Sequence, residues 1–180
     1  MSVGRRAWMV FGVVLALTLA FDQGSKAWAR TLPVSPAGCA QPADLLAHRC
    51  GGVPQPVFDG YWDWELAYNP GAAFSSLTGG GGMQVLLGLL AAAALIGIGV
   101  MASRTAPEQR LKRFALAMIA GGALGNLVDR MRDGAVTDFI RWRWHENRWP
   151  IFNVADAALL AGVVILLLDS ALEHRRTRLA

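Results

Sequence analysis

The chain has 180 residues, 54% of them hydrophobic and only 17% charged, with a mean hydropathy of +0.35 and a formal net charge of +4. Soluble domains carry about a quarter charged residues, so this composition excludes an ordinary water-soluble domain and indicates a small polytopic membrane protein. The positive balance follows from where the basic residues lie along the chain; no nucleic-acid signature is present, and nucleic acid is not an expected partner.

A helix needs roughly 20 mainly apolar residues to cross the hydrocarbon core, and lipid demands that its backbone groups be paired internally. Four stretches meet this: 7–28, 83–101, 114–130 and 154–170. Arg5 and Arg6 precede the first, which carries Asp22 and Lys26 near its far end. Spaced i,i+4, these two suit an intrahelical ion pair. The double arginine, apolar run and "AWA" at 27–29 resemble a cleavable signal peptide. Asp22, Gln23 and Lys26 interrupt that pattern and Trp28 is bulky, so an uncleaved span is expected.

Residues 30–82 form an outer insertion. Its first part, "RTLPVSPAGCAQPADLLAHRCGGVPQPVFDG", is rich in Pro and Gly and is expected to be irregular. Cys39 and Cys50, eleven positions apart, are either a disulfide closing a local loop or two free thiols, and they are too few for a cysteine-only zinc site. "YWDWELAYN", 61–69, alternates large apolar with polar residues and predicts a strand. "TGGGGM" makes a joint before the second span.

Arg104, Arg110, Lys112 and Arg113 fill the 102–113 loop, and Arg175, Arg176 and Arg178 form the tail. The basic residues near span ends place both termini and the 102–113 loop in the cytoplasm and 30–82 and 131–153 outside. In the third span, Gly121, Gly122 and Gly125 permit close helix approach, either for ordinary packing or for an incoming helix. The outer segment after it holds "TDFIRWRWHENRWPIFN", where Trp142, Trp144, Arg141, Arg143 and Arg148 suit a membrane–water boundary. A strand pairing with 61–69 is a second reading of the same stretch.

Ionisable groups at membrane depth are costly and mark function by default. Asp22, Lys26, Asn69, Asn126, Asp129, Arg130, Asp138, Asn153 and Asp156 all fall at the outer ends of spans or in outer loops. A transporter subunit would spread such charges through the membrane depth, and a non-catalytic scaffold that binds a partner through the Trp/Arg loop would tolerate Asn at Asp138 and Asp156. The three histidines lack zinc-protease spacing, Ser75 has no evident base, and no phosphate-binding loop occurs. Aspartates remain: two close carboxylates share a proton, so one serves as base toward water while the other donates to a carbonyl. Asp138 and Asp156 are the best pair by position. Asp156 alone equally suits a helix N-terminus, and residue chemistry leaves the choice among Asp22, Asp129, Asp138 and Asp156 open.

Four blocks, "DQGSK" (22–26), "NPGAAFS" (69–75), "GNLVDRMRDGAVTDFI" (125–140) and "FNVADAAL" (152–159), at the ends of the four spans, resemble the lipoprotein signal peptidases (signal peptidase II, peptidase family A8), bacterial membrane aspartyl proteases. The resemblance implies four transmembrane helices with a small periplasmic β-sheet and a short amphipathic outer helix. It implies an inner-membrane enzyme that removes signal peptides from diacylglyceryl-modified prolipoproteins, cutting before the lipidated Cys. Asp138 and Asp156 match the catalytic aspartates; Asn69, Asn126, Arg130 and Asn153 match pocket residues; Asp22, Lys26, Asp129 and Gly122 match structural support. Water would be the nucleophile, with no metal or organic cofactor. Prolipoproteins and membrane lipids are the implied partners of a monomer, and globomycin the implied inhibitor. Ser25 stands where Thr is common, Pro70 follows Asn69, and the 35–60 insertion is longer than usual.

Overall fold

The computed structural model describes residues 3–71 and 82–179. In chain order the elements are α1 (Val3–Ala29), β1 (Val34–Ser35), α2 (Ala43–Leu46), β2 (Gly51–Gly52), β3 (Gln55–Phe58) and β4 (Trp62–Asn69), followed by α3 (Gly82–Arg104), α4 (Arg110–Asp133), β5 (Val136–Trp144), β6 (Asn147–Arg148) and α5 (Val154–Leu179). Ser75 and the glycines at 79–81 lie outside the described residues.

The helices α1, α3, α4 and α5 are each long and apolar enough to cross a membrane. Their burial differs sharply: 56% of the apolar window of α4 is covered by protein, against 6% for α1 and α3. Small residues make α4 the central helix. Phe11 of α1 and Ile98 and Ala102 of α3 close on Leu116, Ala117 and Ala120. A Cβ added at Gly121 would stand 2.7 Å from Thr18 Cβ, and one at Gly122 would stand 2.6 Å from the Ala155 carbonyl oxygen. The glycines are therefore filled by α1 and α5, leaving no room there for a docking signal helix. Large apolar side chains such as Leu17, Ile96 and Leu160 point outward, as lipid contact requires.

The charged stretch after Gly125 stays helical through Asp133 and stops at Gly134, whose positive φ of 68° closes the helix as its N–H donates to the Arg130 carbonyl. The chain then reverses into β5. Asp138 consequently lies on a strand.

The larger sheet is antiparallel with order β3-β4-β5-β6. Strand β4 coincides with the alternating 61–69 segment, and its pairing with β5 sets Ala67 opposite Asp138 and Asn69 opposite Val136. Trp28 at the end of α1 meets both Trp64 and Phe139 edge-on, fastening the sheet to the bundle. The insertion expected to be irregular is more ordered than its composition indicates. It holds the β1–β2 ladder and β3, and Gly52 lies so close to the Leu66 backbone that a Cβ would collide at 2.1 Å. Missing side chains here allow one backbone to rest on another. The outer helix is a single turn, α2, that buries Leu45 and exposes its other side. Cys39 and Cys50 form a disulfide around it.

Candidate active site

Two α-helical ends and two strands converge at the sheet end of the bundle. Phe152 accepts the backbone N–H groups of Phe139 and Ile140, and its own N–H donates to Ile140, so the start of α5 is stitched to β5. That places Asn153 beside Asp138. Asn153 is wholly buried; its Nδ2 donates to Asp138 Oδ1 at 2.6 Å and to Asn126 Oδ1 at 3.2 Å. Asn126 Nδ2 in turn donates to Asp156 Oδ1 at 2.8 Å. The two carboxylates are thus joined through two asparagine side chains.

Asp156 also engages the helix terminus. Its N–H donates to Asn153 Oδ1 at 3.0 Å, while its Oδ2 accepts the Asn153 N–H at 3.3 Å. This reciprocal arrangement is a capping box. The capping and site readings of Asp156 coexist, because different oxygens serve them. The positive end of α5 and the donor from Asn126 both complement a carboxylate anion at this position.

Asp138 is 2% exposed, and its other oxygen accepts Asn69 Nδ2 at 3.2 Å. Burial, reinforced by the neighbouring charge of Asp156, pushes its carboxyl up to about 7. Asn69 is held for this by the Gly71 N–H, which donates to its Oδ1. Arg130 lies half-buried within electrostatic reach of Asp156 and Asp138, and donates to the Asn126 carbonyl. The arrangement has the chemistry of an acid–base pair: one carboxyl poised to hold a proton near neutrality, another set among donors that suit its anion.

Asp22, Lys26 and Asp129 stand one layer beneath. Lys26 Nζ lies 2.9 Å from Asp22 and 3.2 Å from Asp129, with all three side chains fully buried. It also donates to Asn126 Oδ1 at 2.9 Å, which orients the amide so that Asn126 Nδ2 points at Asp156. Asp22 Oδ1 accepts the Ala155 N–H, tying α1 to the N-terminus of α5. Asp129 Oδ2 accepts the Thr137 N–H, tying α4 to β5. Gly122, whose Cβ position is occupied by the Ala155 carbonyl oxygen, holds α4 and α5 at close range.

Three contributors, Gln23, Arg30 and Thr137, are absent from the sequence-based set. Gln23 Nε2 donates to Asp22, Asp129 and the Gly125 carbonyl. Arg30 bonds Asp129, Asp133 and the fully buried Thr137. A signal for Arg30 does exist: it repeats Lys26 one turn on, as Asp133 repeats Asp129. A groove of about 510 Å³ opens beside Asp156 and runs down α5 past Ala157, Leu160, Ala161 and Val164, roofed by Trp142, Trp149 and Phe152. Its walls are apolar except at the carboxylate end.

Comparison with known proteins bears on the fold and the family. The family model described as signal peptidase (SPase) II matches residues 14–172. A lipoprotein signal peptidase of Xanthomonas campestris pv. campestris is 34% identical over 96% of this chain and 94% of its own length. Another, of Xylella fastidiosa, is 35% identical over 87% of this chain and 83% of its own. The fold matches a solved bacterial membrane enzyme, determined by the in meso method at 1.9 Å, with TM-score 0.69 and 23% identity over 88% of this chain and 90% of that one. The chain belongs to the signal peptidase II family of lipoprotein signal peptidases and is a multi-pass membrane protease.

Proposed function

We propose that the chain is an aspartic endopeptidase that removes signal peptides from diacylglyceryl-modified prolipoproteins, cleaving N-terminal to the lipidated Cys, with Asp138 and Asp156 as its catalytic pair. The observation that carries the reading is the asparagine bridge, which links Asp138, a buried carboxyl pushed up to about 7, to Asp156, whose side chain opens onto the apolar groove. Asp156, as the anion, takes a proton from water. Asp138 donates its proton to the scissile carbonyl as the tetrahedral intermediate forms. Asn69 and Asn153 keep the Asp138 oxygens in place, and Arg130 offsets the negative charge of the pair.

The apolar groove leading from Asp156 suits a substrate that arrives laterally from lipid, with acyl chains remaining beside α5. The arginines at the far ends of the helices favour an orientation with both termini and the α3–α4 loop in the cytoplasm and the carboxylate pair on the outer face of the inner membrane. The protein acts as a monomer, is inhibited by globomycin, and calls on no metal or organic cofactor.

The test is cleavage of a synthetic diacylated prolipoprotein peptide by purified protein, read as a gel shift. Wild type cuts it; Asp138→Asn and Asp156→Asn, folded normally, do not. Cutting by both variants moves the chemistry to other residues. A folded wild type that leaves the substrate intact overturns the reading.

A further inference from the structure

The opposite end of the bundle carries a second arrangement of buried charge, unrelated to the carboxylates. Arg113, in the first turn of α4, is 4% exposed. Its Nη2 donates to the Thr105 carbonyl at 2.5 Å, and one face of the guanidinium lies 5.3 Å from the Trp8 ring centroid. Nε and Nη1 are buried and have no hydrogen-bond partner among the described residues. A guanidinium carries five N–H donors and cannot shed its charge, so buried donors without acceptors are costly.

Arg113 lines a cavity of about 180 Å³ together with Arg6, Arg110, Ala7, Val10 and Pro107. Among the described residues its walls present three cations and no carboxylate. Glu173 accepts Gln109 Nε2, and neither Glu173 nor Glu108 lines the cavity. Arg6 and Arg110 form no ion pair among the described residues. The start of α4 adds to the positive field, with no acidic residue in its first turn and no side-chain cap at Gln109.

We propose that this cavity binds the phosphodiester headgroup of an anionic phospholipid. The anion accepts charge-assisted hydrogen bonds from the donors left over at Arg113, with Arg6 and Arg110 closing on it from the rim. A lipid fits better than free phosphate because the remaining wall is apolar and Val10 continues onto the exposed, lipid-facing side of α1. The cavity also sits where the apolar spans of α1 and α4 begin, and span ends are where a bilayer's headgroups lie. Water could fill such a space, but three converging cations would then repel one another with nothing between them.

The experiment places full-length protein in nanodiscs of equal parts phosphatidylglycerol and phosphatidylcholine and weighs retained lipid by native mass spectrometry. Wild type keeps phosphatidylglycerol in preference, and Arg6→Gln and Arg110→Gln each weaken that preference roughly fivefold. These rim variants keep the wild-type melting temperature in neutral detergent, so loss of binding is not loss of fold; Arg113→Lys, which keeps the charge but not the planar set of donors, weakens it as well. Equal retention of the two lipids by wild type overturns the proposal, as does an undiminished preference in the Arg6→Gln/Arg110→Gln double variant. A parallel arm adds inorganic phosphate. If phosphate displaces the lipid, the site takes a free anion and the lipid assignment fails.

Discussion

Replacing Asp138 by Asn should make the protein more stable at alkaline pH and less stable at acidic pH, while removing activity at both. The folded carboxyl holds its proton up to about pH 7, whereas in the unfolded chain it releases the proton near 3.8. A raised carboxyl binds protons more tightly in the fold, so stability declines as pH rises between those values, by up to about 1.4 kcal/mol per pH unit. Above both values the accumulated cost is about 4 kcal/mol. The substituted asparagine would carry no such charge. It would still accept Asn153 Nδ2, but its own amide would face Asn69 Nδ2, donor against donor, because Asn69 Oδ1 is committed to Gly71. That mismatch costs about 1–3 kcal/mol. The variant should therefore exceed wild type by about 1–3 kcal/mol near pH 8 and fall below it by a similar amount near pH 4. Thermal unfolding in detergent micelles at both pH values measures the difference, and groups common to both proteins cancel. A variant that melts below wild type at both would refute the claim that burial and Asp156 hold this proton.

The same proton sets a limb of the activity profile: cleavage should fall about tenfold per pH unit above about 7, and a rate flat to pH 9 would remove Asp138 as the acid. Asn126→Leu leaves Asp156 without its 2.8 Å donor and should lower kcat about 10- to 100-fold, with a smaller change in KM; steady-state kinetics on the peptide substrate decides it. Lys26→Met strands the Asp22 and Asp129 carboxylates in a buried site and should cost about 3–5 kcal/mol, read as a large drop in melting temperature. Gly122→Ala forces α4 away from the Ala155 carbonyl and should cost about 1–3 kcal/mol and reduce activity, since the same shift moves Asp156 away from Asn126; a variant with wild-type melting and rate would count against helix spacing as a determinant of the site.

Much of the fold was legible because membrane segments announce themselves by unbroken apolar length, and the 61–69 strand by alternation. The residues of the site were legible for a related reason. Asp22, Asn126, Asp138 and Asp156 are polar groups set in or beside greasy helices, where water is absent and ionisation needs a cause. Less legible was the 35–60 insertion. Its order depends on Gly52 resting on Leu66 and on the closure between Cys39 and Cys50, neither of which is written in hydropathy or alternation. Gln23 and Arg30 were missed because each acts on a helix about a hundred residues away.

By itself the sequence determined the class of protein, its four spans, the gathering of its ionisable residues at one end, and, through four short motifs, its family. Periodicity and hydropathy are local properties, so they survive in the order of residues. Only the tertiary structure decided how those residues divide their work. The turn at Gly134 takes Asp138 off the helix and onto β5, and the Phe152 bridge brings Asn153 against it. Asn126 can then join Asp138 and Asp156, while Lys26, Asp22 and Asp129 are consumed in a buried ion cluster below. Which carboxylate keeps its proton depends on burial and on the distance to another charge, and both quantities exist only once the helices have packed.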